Sequence, residues 1–192
     1  MKKLLLLALG GLASTTASAQ TEKGATYLGA SLGNLRYSRT KQKDNIFSVS
    51  LYPTVGKFVA DRLLLGLTAN LGYNSSEPGF DSYARTITYG AVPFARYYFA
   101  GMDKHRFFGQ LNAGIIWQNR KYKGPFGSGE SYTTNYSTVG AALGYNYFLT
   151  PGAALEVTAG YNKNRFYNGT FDIRAGLAIF LPSRQAAVTP SE

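Results

Sequence analysis

The chain has 192 residues, 45% hydrophobic and 15% aromatic, with 22 glycines, 15 tyrosines, 12 phenylalanines and no cysteine. The lack of cysteine excludes disulfides, thiol catalysis and a lipoprotein anchor, and the length matches a single domain. The formal charge of +10 asks for an anionic partner.

The first segment, MKKLLLLALGGLASTTASAQ, carries two lysines, an apolar run from Leu4 to Ala13, and Ala17-Ser18-Ala19 in small-x-small order. This pattern predicts a signal peptide over residues 1–19, cleaved after Ala19. The apolar run is too short to cross about 30 Å of hydrocarbon as a helix. Lys2 and Lys3 leave with the leader, so 18 basic and 10 acidic residues remain, a surplus of +8. An exported chain meets an anionic lipid surface rather than nucleic acid, so lipid is the expected counter-charge.

After the leader, residues of one character recur at every second position in eight runs: 25–33, 46–58, 63–73, 85–99, 106–118, 134–149, 153–162 and 170–181. In the third run Leu63, Leu65, Leu67, Ala69, Leu71 and Tyr73 share one face, and Gly66, Thr68, Asn70 and Gly72 the other. In the eighth, Phe171, Ile173, Ala175, Leu177, Ile179 and Leu181 alternate with Asp172, Arg174, Gly176, Ala178 and Phe180. Such alternation keeps the mean hydropathy slightly negative while one whole face is suited to lipid.

The connections alternate as well. Residues 59–62, 100–105 and 150–152 form short turns, whereas 34–45, 74–84, 119–133 and 163–169 are longer and polar. Tight turns at one end and long loops at the other are the asymmetry of outer-membrane barrels, with the turns in the periplasm. On the apolar faces, Leu63 and Tyr73, Tyr89 and Phe99, Phe107 and Trp117, and Phe171 and Leu181 each lie ten positions apart. Ten residues at about 3.3 Å each, tilted by about 40°, project to roughly 25 Å, the height of a membrane barrel's apolar band. Phe47, Tyr73, Tyr89, Trp117, Tyr161 and Phe171 are expected to form one aromatic girdle, and Phe99, Phe107, Tyr145 and Tyr147 the other.

The segments SLYPTVGKFVADRLLLGLTANLGY (50–73), VPFARYYF (92–99) and YFLTPGAALEVTAGY (147–161) resemble the outer-membrane β-barrel domain family, the small eight-stranded barrels of the OmpA/OmpX type. The resemblance covers residues 25–181. It implies an all-β fold, an eight-stranded antiparallel up-and-down transmembrane β-barrel in the bacterial outer membrane, assembled by the barrel-insertion machinery with periplasmic chaperones. Family members commonly end on an aromatic residue, whereas here Phe180 is followed by Leu181 and the tail PSRQAAVTPSE. The expected organisation is a signal peptide at 1–19, a barrel at 20–181 and a short disordered periplasmic tail at 182–192. That tail is too short for a peptidoglycan-binding domain.

Strand parity points Arg96, Glu156, Asp172 and Arg174 into the barrel. An eight-stranded barrel has room only for side chains, so inward charges must pair. The expectation is an interior network of Glu156 with Arg96 and Arg174, supported by Gln110, Asn112, Asn146 and Tyr98. Polar filling of the lumen is favoured over an ion pathway.

Nothing catalytic stands out. His105 is the single histidine and falls in a short turn, so a His-based hydrolase mechanism lacks its base, and no metal or cofactor site is expected. GPFGSG at 124–129 lies in a long loop and is a weak phosphate cradle. The loops themselves are basic: Arg36, Arg39, Lys41, Lys43, Arg120, Lys121, Lys123, Lys163 and Arg165 face only Asp44, Glu77, Asp81 and Glu130, a local excess of +5. Lipopolysaccharide phosphate is the candidate contact for these cations, set against simple solubilisation of the loop tips. The expected function is a non-enzymatic, monomeric outer-membrane barrel with a structural or surface-interaction role. The alternatives are a narrow porin-like channel and a soluble lipocalin-like barrel, the latter disfavoured by an interior of Gly, Thr, Asn and charge.

Overall fold

The computed structural model describes residues 21–39, 45–77, 82–102, 104–124, 129–164 and 169–183. The predicted leader at 1–19, the tail beyond 183, and Lys41, Lys43 and Arg165 lie outside these residues. The strands are β1 (Thr26–Arg39), β2 (Asn45–Ala60), β3 (Leu63–Glu77), β4 (Tyr83–Met102), β5 (His105–Lys123), β6 (Glu130–Thr150), β7 (Ala153–Asn164) and β8 (Thr170–Leu181). Each pairs antiparallel with its sequence neighbours. β1 closes on β8, from Thr26 opposite Leu181 to Gly33 opposite Arg174.

Closure satisfies the edge strands and leaves two faces with opposite demands. Across the membrane-level part of the strands, outward positions are predominantly apolar and exposed: Leu67 is 44% exposed, Leu111 67%, Leu143 65% and Leu177 57%. These side chains have no protein to bury against; hydrocarbon is the environment that takes them. Their inward neighbours are mostly small, polar or aromatic, with Leu64 and Ile116 as buried aliphatic exceptions.

Large inward rings fit because glycines face them across the strands. Phe108 lies opposite Gly144 and Phe94 opposite Gly66. A Cβ on Gly144 would sit 2.0 Å from the Phe108 ring, and one on Gly66 2.6 Å from the Phe94 ring. Glycine at these sites is a packing requirement.

The membrane-level strands follow the expected parity, but their outer ends do not stop where the apolar alternation stops. The segments expected as long loops continue pairing: Asn45 with Glu77, Tyr83 with Lys123, and Asn119, Arg120 and Lys121 with Thr133, Tyr132 and Ser131. Above the apolar band both faces are wet, so the period-2 signal vanishes while the hydrogen-bond ladder persists. A register shift between Gly33 and Arg36, with Asn34 at φ 51°, also inverts the parity of β1 beyond that point.

Candidate functional site

At the short-turn end the even-numbered strands end alike: Phe58-Val-Ala, Tyr98-Phe-Ala, Phe148-Leu-Thr and Phe180-Leu-Pro. The first residue of each points inward and is 3% exposed or less. Its backbone N–H donates to the carbonyl of Ala25, Arg62, Lys104 or Gly152 respectively, at 2.8–2.9 Å. Four strands thus use one device to set four rings over the same end of the lumen. Phe58 meets Tyr98 and Phe148 meets Phe180 with centroids 5.7 and 4.9 Å apart, and Phe94, Phe108 and Leu64 complete the cluster. The sequence reading placed Phe180 inward but missed this apolar floor, describing the interior as Gly, Thr, Asn and charge. The repeated aromatic-apolar-small triplet was the available signal.

Glu156 sits on this floor. Arg96, reaching from β4, holds it with Nη1 2.7 Å from Oε2 and Nη2 3.1 Å from Oε1, and both residues are 4% exposed. Asn146 Nδ2 donates to Oε2 at 3.0 Å, and the Tyr27 hydroxyl donates to it at 2.8 Å. Arg96 also donates from Nε to Gln110 Oε1 at 2.9 Å and from Nη1 to Tyr98 Oη at 3.2 Å. Its guanidinium carbon lies 3.8 Å from the Phe108 ring centroid. A buried carboxylate is costly unless compensated by charge and by donors to both oxygens, and here it has both.

The expected single network is instead two. Arg174 pairs with Asp172 through Nε and Oδ2 at 2.5 Å and does not reach Glu156. Asp172 also accepts from Asn162 at 2.7 Å, and Arg174 lies over Tyr52, 4.1 Å from its centroid. The physical reason is strand stagger: Arg174 faces Thr158 in the β7–β8 register, whereas Glu156 faces Gly176. Arg174 therefore occupies the next layer toward the loops. Asn112 also stands apart; its Oδ1 is buried and makes no hydrogen bond among the described residues. Tyr27, a direct ligand of Glu156, was missed because a tyrosine on an alternating strand looks like girdle or core equally well.

Above Arg96 the lumen widens into a polar cup. A cavity of about 160 Å³ is lined by Thr68, Asn70, Gln110, Asn112, Thr138, Asn162, Asp172 and Arg174, among others. Toward the loops, Thr86, Thr88, Gln118, Arg120, Tyr132 and Tyr136 line a further space of about 530 Å³. The lumen is thus polar toward the loops and apolar toward the turns.

The cations proposed for the rim separate into two sets. Arg39, Lys121, Lys123 and Lys163 lie on outward-facing positions. Arg36 and Arg120 border the mouth of the lumen, where Arg120 Nη1 donates to Tyr132 Oη at 3.4 Å. Arg85, outward on β4 opposite Lys121, was not in the expected set. His105 opens β5 instead of lying in a turn, and its Nδ1 is 2.6 Å from the Tyr145 hydroxyl. It thereby joins the lower girdle with Phe107 and Tyr147. In the upper girdle Tyr89 stacks on Trp117, with centroids 5.8 Å apart and planes 10° apart.

An eight-stranded closed barrel with an apolar exterior between two aromatic girdles is a transmembrane β-barrel of the outer-membrane kind. No family model matches the sequence, and no curated protein matches it. Solved structures do share its fold. Ail, the attachment invasion locus protein of Yersinia pestis, is 13% identical at a TM-score of 0.56, over 82% of this chain and 98% of that one. The outer membrane protein OprG from Pseudomonas aeruginosa is 12% identical at 0.55, over 88% and 100%. A major outer membrane protein from Thermus thermophilus is 13% identical at 0.53, over 82% and 99%. The fold and the apolar belt together place this chain in an outer membrane.

Proposed function

We propose that the chain is a non-enzymatic outer-membrane barrel that acts at its rim, where its outward-facing cations engage lipopolysaccharide phosphate, and that its lumen does not conduct. The observation that carries this reading is the floor: four strand-end rings and the Arg96–Glu156 pair fill the turn end, while the polar cup lies on the loop side of them. A lumen blocked at the turn end leaves the outer surface and the loop-side rim as the places where the protein meets partners. The closed sheet has no edge to share with a second copy, which supports a monomer. Export and a barrel fold together call for periplasmic chaperones and the insertion machinery during assembly.

The narrow-channel reading makes the opposite demand on one measurement. Purified barrel in planar bilayers is expected to show no stable unitary conductance. Reproducible open levels in the protein, absent from a mock preparation, overturn the filled-lumen reading in favour of a pore. The lipocalin-like alternative requires a soluble exterior, and the apolar belt is incompatible with it.

A further inference from the structure

Arg85 and Lys121 are direct cross-strand partners on the outer face of β4 and β5, and like charges placed so repel. The pairs below them in the same ladder are Ile87 with Asn119, then Tyr89 with Trp117. The pair above is Tyr83 with Lys123. Three cations therefore rise in one column directly over the stacked rings of the upper girdle. Arg85 lies four positions from Tyr89, about 13 Å along the strand and roughly 10 Å along the membrane normal at a tilt of about 40°. Long basic side chains reach down from that height to the headgroup layer.

No carboxylate among the described residues pairs with these charges. Among the described residues the ion pairs are Arg96 with Glu156 and Arg174 with Asp172, both inside the barrel. Glu77 lies on this outer face two residues beyond Ser75, which faces Arg85, and it forms no ion pair with Arg85. Glu130 faces Tyr122, whose side chain alternates to the opposite face from Lys121 and Lys123. Arg85 is steadied by the Tyr83 ring, 5.1 Å from its guanidinium carbon.

We infer that Arg85, Lys121 and Lys123 form a docking site for the phosphate of an outer-leaflet glycolipid, whose acyl chains then lie along Ile87, Ile115 and the Tyr89–Trp117 stack. The site rests on the proposed rim function and gives it a place. A phosphate between Arg85 and Lys121 converts a repulsive cross-strand pair into two charge-assisted contacts. Arg36 and Arg120, which border the lumen mouth, do not share in it.

Bisphosphorylated lipid A and its dephosphorylated form, each added to the folded protein in neutral detergent and followed by native mass spectrometry, provide the test. The protein is expected to retain the phosphorylated lipid preferentially. Arg85→Gln with Lys121→Gln should weaken that retention about 30-fold, the equivalent of about 1 kcal/mol for each cation. Each single variant should fall partway, and Arg36→Gln with Arg120→Gln, which removes equal charge, should leave retention unchanged. Heat-modifiable gel mobility verifies that every variant is folded. If the protein prefers the phosphorylated lipid but both double variants behave alike, this site is overturned while the rim function stands. If the protein shows no preference for phosphate, both fall.

Discussion

Glu156 and Arg96 face each other across the lumen through two nearly parallel contacts, at 2.7 and 3.1 Å, while Arg174 spends its charge on Asp172 one layer away. This division gives unequal couplings. Glu156→Gln leaves a buried guanidinium undercompensated and should cost about 3 to 5 kcal/mol. Adding Arg96→Gln should recover part of that loss, whereas adding Arg174→Gln should act independently. Double-mutant cycles on the refolded barrel, read from urea midpoints, measure both. Equal couplings for the two arginines would contradict the two-layer interior.

The lipid face makes a depth-dependent prediction. Leu67 lies midway along the apolar stretch of β3, and Tyr73 at its loop end. Leu67→Arg should cost about 2 to 4 kcal/mol in a lipid folding titration, and Tyr73→Arg no more than about 1 kcal/mol from depth alone. Asn70→Arg, which points into the cup, should act by crowding and respond little to bilayer thickness. A flat response from Leu67 to Tyr73 would argue that the outer face does not contact hydrocarbon.

The barrel was legible where water and lipid impose opposite preferences on alternate residues, as from Leu63 to Tyr73. It was illegible where the solvent is the same on both sides. Thr133 and Ser131 continue the ladder of β6, yet nothing in their polarity distinguishes them from a loop. Inward direction was legible for Glu156 and Arg174 from parity, but their layer was not, because stagger between strands accumulates around the barrel. The floor hid for a different reason. Phe58, Tyr98, Phe148 and Phe180 sit next to outward apolar residues, so strand ends with two apolar residues in succession blurred the alternation. Arg85 escaped notice because its segment fell within the strand while the cations were sought in loops.

Phe108 and Gly144 supply a prediction specific to the floor. The ring covers the glycine so closely that Gly144→Ala forces it to move, and overpacking of this kind costs about 1 to 3 kcal/mol. Phe108→Leu alone should also destabilise, since it removes contacts with Tyr98, whose ring lies 5.3 Å away, and with Arg96. Combined, the two changes should cost less than the sum of the single effects, because leucine leaves room for the added methyl. Thermal melts of the four proteins decide this, and strict additivity would mean that the ring does not rest on Gly144.

Orientation gives the final prediction. The chain has no cysteine, so any introduced thiol reports its own position alone. Ser131 lies at the loop end of β6, one strand from Lys121, and Lys104 in the turn between β4 and β5. Short turns belong on the periplasmic side of an outer-membrane barrel, and the extended hairpins project outward. On intact cells a bulky membrane-impermeant maleimide should therefore label Ser131→Cys and spare Lys104→Cys, and disrupting the outer membrane should expose both. The rim cations depend on this orientation, since only the outer leaflet presents lipopolysaccharide phosphate to Arg85 and Lys121. Labelling of Lys104→Cys but not Ser131→Cys on intact cells would invert the barrel and remove the glycolipid site with it.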